Sequence, residues 1–213
     1  MNRADRRADR RVKRIVDVVV AVAVLVLTAP VVAVAALLVL VQFGRPVFFR
    51  QERTGRHERT IRVLKLRTMS DDRDARGRLL PDGVRCRGVG RALRRLSIDE
   101  LPQMVNVLRG DLSLVGPRPL LLRYDPWYTP RERLRFAVQP GITGLAQVNG
   151  RNDLAWTERL ELDVRYVLDW SLWLDLRIIA RTVGKVVRAS GVAVDPSSRM
   201  LDLDEERRLT SVR

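Results

Sequence analysis

The chain has 213 residues, enough for one domain and an appendage, and its formal net charge of +15 predicts an anionic partner such as phosphate, nucleic acid or an anionic membrane surface. The single cysteine, Cys86, excludes an internal disulfide, and with only one histidine in the chain a structural zinc site is not expected. Nearly all of the positive charge is arginine, because lysine occurs only at Lys13, Lys65 and Lys185.

The first distinctive stretch is residues 18–41, which contain no charged side chain and consist mostly of Val, Ala and Leu. It is long enough to span a bilayer and longer than the apolar core of a signal peptide. Pro30 lies near its middle and predicts a kink, since proline removes a backbone hydrogen bond. Basic residues are in excess on both flanks, so the positive-inside rule favours a helix that breaks at Pro30 and returns to the cytoplasmic face. A kinked helix that crosses the membrane is the alternative.

The next segment predicts a small β-hairpin. Residues 46–51 read as one strand, and residues 60–66, rich in β-branched and apolar side chains, read as the returning strand. Lys65 lies at the end of the second strand, and in a chain that uses arginine almost exclusively it points to a phosphate contact. Residues 70–83 read as a polar surface loop, and apolar side chains at helical spacing predict a short helix over residues 89–96.

The most informative stretch is residues 97–103, in which two adjacent carboxylates, Asp99 and Glu100, follow a region crowded with arginine. The ordinary interpretation is a capping box, in which Ser97 and Glu100 satisfy backbone N–H groups at a helix start. The other interpretation is phosphate chemistry, because a carboxylate at a helix N-terminus stays ionised and the same N–H groups can hold phosphate oxygens.

Four motifs occur in a specific order, and together they favour the second interpretation. They occupy residues 65–69, 97–103, 110–119 and 140–151. With them, the chain resembles the bacterial sugar transferase family, the monotopic polyprenyl-phosphate phosphoglycosyl transferases, from about residue 11 to about residue 191. Its size is similar to that of the minimal form, which has only the membrane hairpin and the catalytic domain.

The resemblance implies a reaction and the residues that perform it. The family transfers a sugar 1-phosphate from a nucleoside diphosphate sugar, most commonly a UDP-sugar, to polyprenyl phosphate on the inner leaflet of the bacterial cytoplasmic membrane. The transfer releases UMP and starts assembly of a glycan such as an exopolysaccharide. The role of nucleophile falls on Asp99, which would carry a covalent phosphosugar, with Glu100 as metal ligand or proton acceptor. Mg²⁺ is the implied cofactor, held by Asp99 and Glu100. The residues implied to bind phosphate or substrate are Lys65, Arg94, Arg118 and Arg151.

The resemblance also implies an architecture. The expected fold is mainly α with a small β-hairpin, and a re-entrant membrane helix-break-helix joins a catalytic domain that is seated on the membrane from the cytoplasmic side. Pro30 and Pro119 are the implied structural residues. Pro119 belongs to a fixed turn that presents Arg118, and the turn can contain either a cis or a trans peptide bond. The family usually breaks its membrane helix at Ser-Pro, and here the Thr28 hydroxyl can substitute by bonding back to a preceding carbonyl.

Three regions are expected. They are a basic N-terminus with the membrane helix (1–45), a catalytic domain (46–191) and a loose polar tail of mixed charge (192–213). The catalytic domain is expected to end in a glycine-rich loop and two helices, at residues 140–144, 154–168 and 172–187. Trp170 and Trp173, where these two helices meet, can pack in the core or dock on the membrane surface.

Two alternatives belong to other classes of protein. A strongly basic membrane protein could bind nucleic acid without catalysis, but the chain has no nucleic-acid recognition motif, so no nucleic-acid partner is expected. A catalytically inactive scaffold of the same fold is the other, and the intact pair of Asp99 and Glu100 argues against it. The sequence does not identify the sugar, and it leaves open whether the chain forms a homo-oligomer.

Overall fold

The computed structural model describes residues 3–150, 154–187 and 202–211, and in these ranges the chain is mainly helical. The α-helices are α1 (Arg3–Phe43), α2 (Asp82–Arg85), α3 (Val89–Arg95), α4 (Met104–Arg109), α5 (Leu145–Asn149), α6 (Trp156–Leu168), α7 (Leu172–Val187) and α8 (Leu203–Ser211). The strands are β1 (Phe48–Thr54), β2 (Thr60–Leu66), β3 (Ser113–Val115) and β4 (Gly141–Thr143). Short 3-10 helices occupy Arg56–Glu58, Ile98–Gln103, Leu122–Trp127 and Glu132–Ala137.

Helix α1 contains the predicted membrane segment and runs through Pro30. Its residues Ala8–Phe43 are long and apolar enough to cross a membrane by length and composition. Two residues before the proline, Thr28 Oγ1 donates a hydrogen bond to the Val24 carbonyl at 2.7 Å. This confirms the prediction that Thr28, in the absence of the serine of Ser-Pro, bonds back to a preceding carbonyl. How α1 lies in a bilayer stays a prediction.

Both ends of α1 contact the rest of the fold. Near its start, Arg14 donates to the Val107 carbonyl at 2.6 Å. Near its end, the Gln42 side chain accepts a hydrogen bond from the Val89 backbone N–H at 2.7 Å. Between these contacts, residues 26–34 are exposed or half-exposed.

Strands β1 and β2 confirm the predicted hairpin. They pair antiparallel from Phe48↔Leu66 to Thr54↔Thr60, and the register puts Phe49 opposite Lys65. Since alternate residues share a face of a strand, Arg53 lies on the same face of the hairpin as Lys65. The buried Asn106 side chain of α4 holds the hairpin in place, because it accepts a hydrogen bond from the Leu64 N–H at 3.0 Å.

Strands β3 and β4 form a second, parallel pair that was not predicted. Ser113 pairs with Gly141, so the predicted glycine-rich loop over residues 140–144 is in part a strand. A Cβ at Gly141 would approach the Gly116 backbone nitrogen to 2.0 Å, which explains why only glycine fits where the two segments meet.

The buried apolar side chains form three clusters. The first joins α4, β3, α6 and α7 to Ala21 of α1. The second, here called the proximal cluster, consists of Ala35 and Val39 of α1 with Leu66 and Leu93. The third, here called the distal cluster, contains no residue of α1 and consists of Leu120, Tyr124, Tyr128, Phe136, Trp156, Leu160 and Leu203. The fold therefore has one side that packs on the apolar helix and one side that does not.

The C-terminal segment differs in part from its prediction. Helices α6 and α7 confirm the two predicted helices. The expectation of a loose tail is wrong for residues 202–211, because α8 packs on the domain through the fully buried Leu203. Just before α8, Asp202 accepts a hydrogen bond from the Tyr124 hydroxyl at 2.6 Å.

Candidate active site

The acidic pair lies in the short 3-10 helix Ile98–Gln103, which follows α3. Ser97, directly before it, has left-handed backbone angles (φ 56°), and its side chain makes no capping hydrogen bond. The capping-box interpretation is therefore wrong. The Glu100 carboxylate turns away from the helix start and meets two cations instead.

Glu100 is held by charge. Its Oε1 accepts from Lys65 Nζ at 2.6 Å and from Arg118 Nη2 at 2.9 Å. Burial opposes ionisation, but the Arg118 guanidinium and the Lys65 ammonium outweigh it and hold the pKa of Glu100 well below its usual range. The carboxylate is thus ionised at neutral pH, and it ties the end of β2 to the segment after β3.

Asp99 has the opposite surroundings. Its residue surface is only 6% exposed, and no hydrogen bond from any residue in the described ranges reaches its carboxylate. Burial and the adjacent Glu100 charge raise the pKa of Asp99 to about 6, although nearby cations pull the other way. The result is a carboxylate that is ionised at pH 7 and whose two oxygens accept no hydrogen bond from the described part of the chain.

Two of the predicted phosphate-binding arginines lie around this pair. Arg94 donates from Nε to Thr68 Oγ1 at 2.9 Å and acts on the charge of Asp99. Arg118 stands in the predicted turn, and the peptide bonds before Pro117 and Pro119 are trans. Its carbonyl accepts from Arg135 Nη2 at 2.7 Å, which fixes the backbone that presents the guanidinium.

The remaining predicted residue, Arg151, lies outside the described residues, so its place in the site stays a prediction. The structure thus brings together Asp99, Glu100, Lys65, Arg94 and Arg118, from four separate segments of the chain.

The site also contains residues that sequence reasoning missed. Arg53 and Arg159 both act electrostatically on Arg118, although they come from β1 and α6. For Arg53 the predicted strand, residues 46–51, ended too early to include it, and only the observed register places it on the face of Lys65. For Arg159 the sequence offered only the helical spacing to Asp163, which is equally typical of a surface ion pair.

The donor groups can be tested against the expected Mg²⁺. In the described part of the chain, no three His, Cys, Asp or Glu side chains form a group that could hold a metal. Mg²⁺ is usually bound by one or two carboxylates together with substrate phosphates. Asp99 and the second oxygen of Glu100 fit an ion that arrives with such phosphates, and they do not form a protein cage for one.

Comparisons with known proteins identify the family of the chain. The family model described as bacterial sugar transferase matches residues 8–189. The chain is 52% identical over 168 residues to the uncharacterized sugar transferase EpsL of Bacillus subtilis, covering 79% of this chain and 83% of that protein. It is 44% identical to the UDP-glucose:undecaprenyl-phosphate glucose-1-phosphate transferase of Caulobacter vibrioides, over 74% of this chain and 62% of that protein.

A longer relative shows the same relationship. The undecaprenyl-phosphate glucose phosphotransferase of Komagataeibacter xylinus is 41% identical over 183 residues, which are 76% of this chain but 33% of that protein. The matched region therefore covers 83% of the Bacillus relative, 62% of the Caulobacter relative and 33% of the Komagataeibacter relative. Because the family model covers most of the chain and three of the four motifs converge on one acidic pair, the chain belongs to the bacterial sugar transferase family and is a transferase enzyme.

Proposed function

We propose that the chain transfers a sugar 1-phosphate from a nucleoside diphosphate sugar, most simply a UDP-sugar, to a polyprenyl phosphate and releases UMP. The observation that carries the proposal is a pair of adjacent carboxylates in opposite surroundings. Asp99 is buried and accepts no hydrogen bond from a described residue, whereas Glu100 binds both Lys65 and Arg118. The Caulobacter relative is named for such a reaction with UDP-glucose and undecaprenyl phosphate.

The reaction proceeds in two displacements at one phosphorus atom. In the first, an Asp99 oxygen attacks the phosphorus that bears the sugar, and the bond from that phosphorus to the bridging oxygen breaks. The electron pair leaves with the nucleoside monophosphate, and the protein retains an acyl phosphosugar. In the second, an oxygen of the polyprenyl phosphate attacks the same phosphorus, and Asp99 departs as a carboxylate.

The cations around the pair make these displacements feasible. Negative charge spreads over the phosphate oxygens in both, and preorganised cations offset it most effectively where little water competes. Glu100 keeps Lys65 and Arg118 in place, because it is their shared partner. Mg²⁺, held by Asp99 and Glu100 when it arrives with the diphosphate, would neutralise further phosphate oxygens.

We also propose that the domain binds the cytoplasmic face of the inner membrane. The uncharged residues 18–41 would extend for about 36 Å as a straight helix, slightly more than the hydrocarbon thickness of a bilayer. The ends of α1 nevertheless bond to a single small domain, through Arg14 at the start and Gln42 at the end. A domain that stays in water on one side can meet both ends only if the segment between them does not cross to the other side, which favours the re-entrant arrangement over a straight span. Because α1 runs through Pro30 as one helix, the break at Pro30 itself stays a prediction.

Helix α7 supplies a second argument for binding to the membrane surface. Trp173, Leu176 and Val183 are all more than half exposed and recur at helical spacing, so α7 has an apolar outer stripe. Such a stripe suits the boundary between headgroups and acyl chains, where Trp is also favoured. Of the two predicted places for the tryptophans, the membrane surface fits Trp173, whereas Trp170 is half-buried and donates to Asp175 at 3.2 Å.

The test uses the full chain purified in detergent with Mg²⁺ and a panel of UDP-sugars. With donor alone, the correct sugar should release one equivalent of UMP in a burst and leave the protein heavier by one phosphosugar on Asp99. The variant Asp99→Asn should show neither, and Asp82→Asn, which removes an exposed carboxylate, should behave as the wild type. Full turnover without any burst, or an adduct on another residue, would disprove the covalent mechanism.

A further inference from the structure

Two arginines near the site form no ion pair with an acidic side chain in the described part of the chain. Arg53 lies on β1, on the hairpin face that carries Lys65, and its Nη2 donates to Gln51 Oε1 at 2.5 Å. Because Gln51 lies between Arg53 and the residue opposite Lys65, this bond draws the guanidinium along the strand toward the site. No ion pair to a carboxylate in the described ranges neutralises it.

Arg159 is the more unusual of the two. Its residue surface is 9% exposed, and its guanidinium lies over the Trp156 ring, 4.8 Å from the centroid. No hydrogen bond or ion pair joins that guanidinium to any residue in ranges 3–150, 154–187 and 202–211. Asp163, one turn further along the same helix, forms its ion pair with Arg135 at 2.7 Å and acts on Arg159 only through its charge. Within the described residues, Arg159 is therefore a buried cation that lies over a ring and has no direct acidic partner.

Backbone geometry connects both arginines to Arg118. Leu121, three residues after Arg118, forms a β-bridge with Arg53. Leu120 belongs to the distal cluster together with Trp156, the ring under Arg159. Arg118, Arg53 and Arg159 thus border one region at the edge of the distal cluster.

The electrostatics agree with this placement. Burial, and next to it the charge of Arg118, lowers the pKa of Arg53 to about 10, and the same two causes lower the pKa of Arg159 to about 10. Each of these guanidinium groups still carries its charge at neutral pH. Burying an uncompensated cation is costly, and like charges in one region add to that cost. A bound anion would remove both penalties, and Arg is the side chain that binds phosphate oxygens in bidentate fashion.

We propose that Arg53 and Arg159, together with Arg118, bind the nucleotide phosphate of the donor, the one that leaves as part of the nucleoside monophosphate. This rests on the proposed function and adds to it a subsite separate from the Lys65–Glu100 pair. The choice of the nucleotide over the lipid phosphate follows from the fold. The distal cluster contains no α1 residue, so its edge faces the water-soluble half of the donor, whereas the polyprenyl chain must approach from the side of α1.

The experiment compares UMP with uridine as probes, using the full chain in detergent and titration calorimetry. Arg53→Gln and Arg159→Gln should each weaken UMP binding by about tenfold to a hundredfold, as expected for lost charge-assisted hydrogen bonds. Uridine, which has no phosphate, should bind as it does to the wild type. Arg165→Gln is the matched control, since Arg165 lies on the same helix but is largely exposed.

The comparison of probes separates a phosphate contact from damage to the fold. If the substituted arginine contacts the phosphate, the ratio of UMP affinity to uridine affinity falls. If the substitution damages the fold, both affinities fall and the ratio stays unchanged, which overturns the proposal. In turnover assays the KM for the UDP-sugar should rise in both variants, with the KM for polyprenyl phosphate unchanged. A rise confined to polyprenyl phosphate would overturn the assignment by identifying an acceptor site.

The binding readout does not depend on catalysis, so the two proposals can fail separately. If the wild type forms no phosphosugar adduct but the UMP-to-uridine ratio depends on both arginines, the subsite stands and the covalent mechanism fails. If the adduct forms normally and the ratio is the same in both variants, or the wild type does not bind UMP, the subsite fails.

Discussion

Replacing Asp99 by Asn is expected to stabilise the folded protein at neutral pH while abolishing the reaction. The reason is the unfavourable surroundings of the charged carboxylate, which is almost fully buried beside the ionised Glu100 and receives no hydrogen bond from a described residue. Asparagine has the same shape without the charge. A nucleophile held at a cost to stability is what active sites commonly contain.

The pKa of Asp99 gives the magnitude. Folding raises it from 3.8 to about 6, so the ionised form is destabilised in the folded state by about 3 kcal/mol. At pH 7 the group is ionised in both states and the whole penalty is present. As the pH falls through 6 toward 4, the folded protein takes up a proton before the unfolded chain does, and the penalty disappears. For a chain of this length, about 3 kcal/mol corresponds to a rise in Tm of roughly 6–12 °C.

The assay is thermal unfolding in detergent between pH 7 and pH 5, for the wild type, Asp99→Asn and the exposed-site control Asp82→Asn. The advantage of Asp99→Asn should be largest at pH 7 and should shrink toward pH 5, and Asp82→Asn should follow the wild type. Comparing variants at each pH cancels the titration of the other carboxylates. An Asp99→Asn protein that is no more stable than the wild type at pH 7, or an advantage independent of pH, would refute the reasoning.

Three further predictions concern other parts of the molecule. Glu100→Gln deprives two cations of their shared carboxylate and should lower the rate of the UMP burst by about a hundredfold, measured by rapid quench, with unchanged membrane association as the control. Cysteines at positions 5 and 55 should both react only with a reagent applied from the cytoplasmic side. Pro30→Leu should make the cysteine at position 5 accessible from the periplasm. Periplasmic labelling of that cysteine without the Pro30 substitution would establish a straight span. Leu203→Ala should cost about 2–4 kcal/mol of unfolding free energy in denaturant titrations, whereas Leu209→Ala, at an exposed position of α8, should cost little.

Features with a strong local signal could be predicted from the sequence. The apolar run of α1, the β-branched strands of the hairpin and the helical spacing before the acidic pair each gave the right element. The end of the second strand was also predicted, and with it the position of Lys65 at that strand end, although the register of the hairpin was not. Each of these signals depends on residues close together in the chain.

What could not be predicted depends on partners far away in the chain. Strands β3 and β4 have three residues each, too few to show any periodicity, and they pair only because Gly116 and Gly141 allow close approach. Helix α8 is charged along most of its length, and it is anchored by the buried Leu203 and by an ion pair from Arg207 to the distant Glu132. The capping box failed because two distant cations compete for the Glu100 carboxylate and bind it more strongly than a backbone N–H does.

The position of the acidic pair explains why a covalent intermediate suits this fold. Ile98, directly before Asp99, packs against the proximal cluster, which includes Ala35 and Val39 of the apolar helix. On the other side of the pair, Arg118 leads to the distal cluster and to water. In the proposed reaction, a lipid phosphate and a nucleotide therefore approach Asp99 from opposite sides, and a direct transfer would need both anions in the site together. The proposed phosphosugar on Asp99 would let the nucleotide leave before the lipid phosphate attacks, so that the same cations would serve each anion in turn.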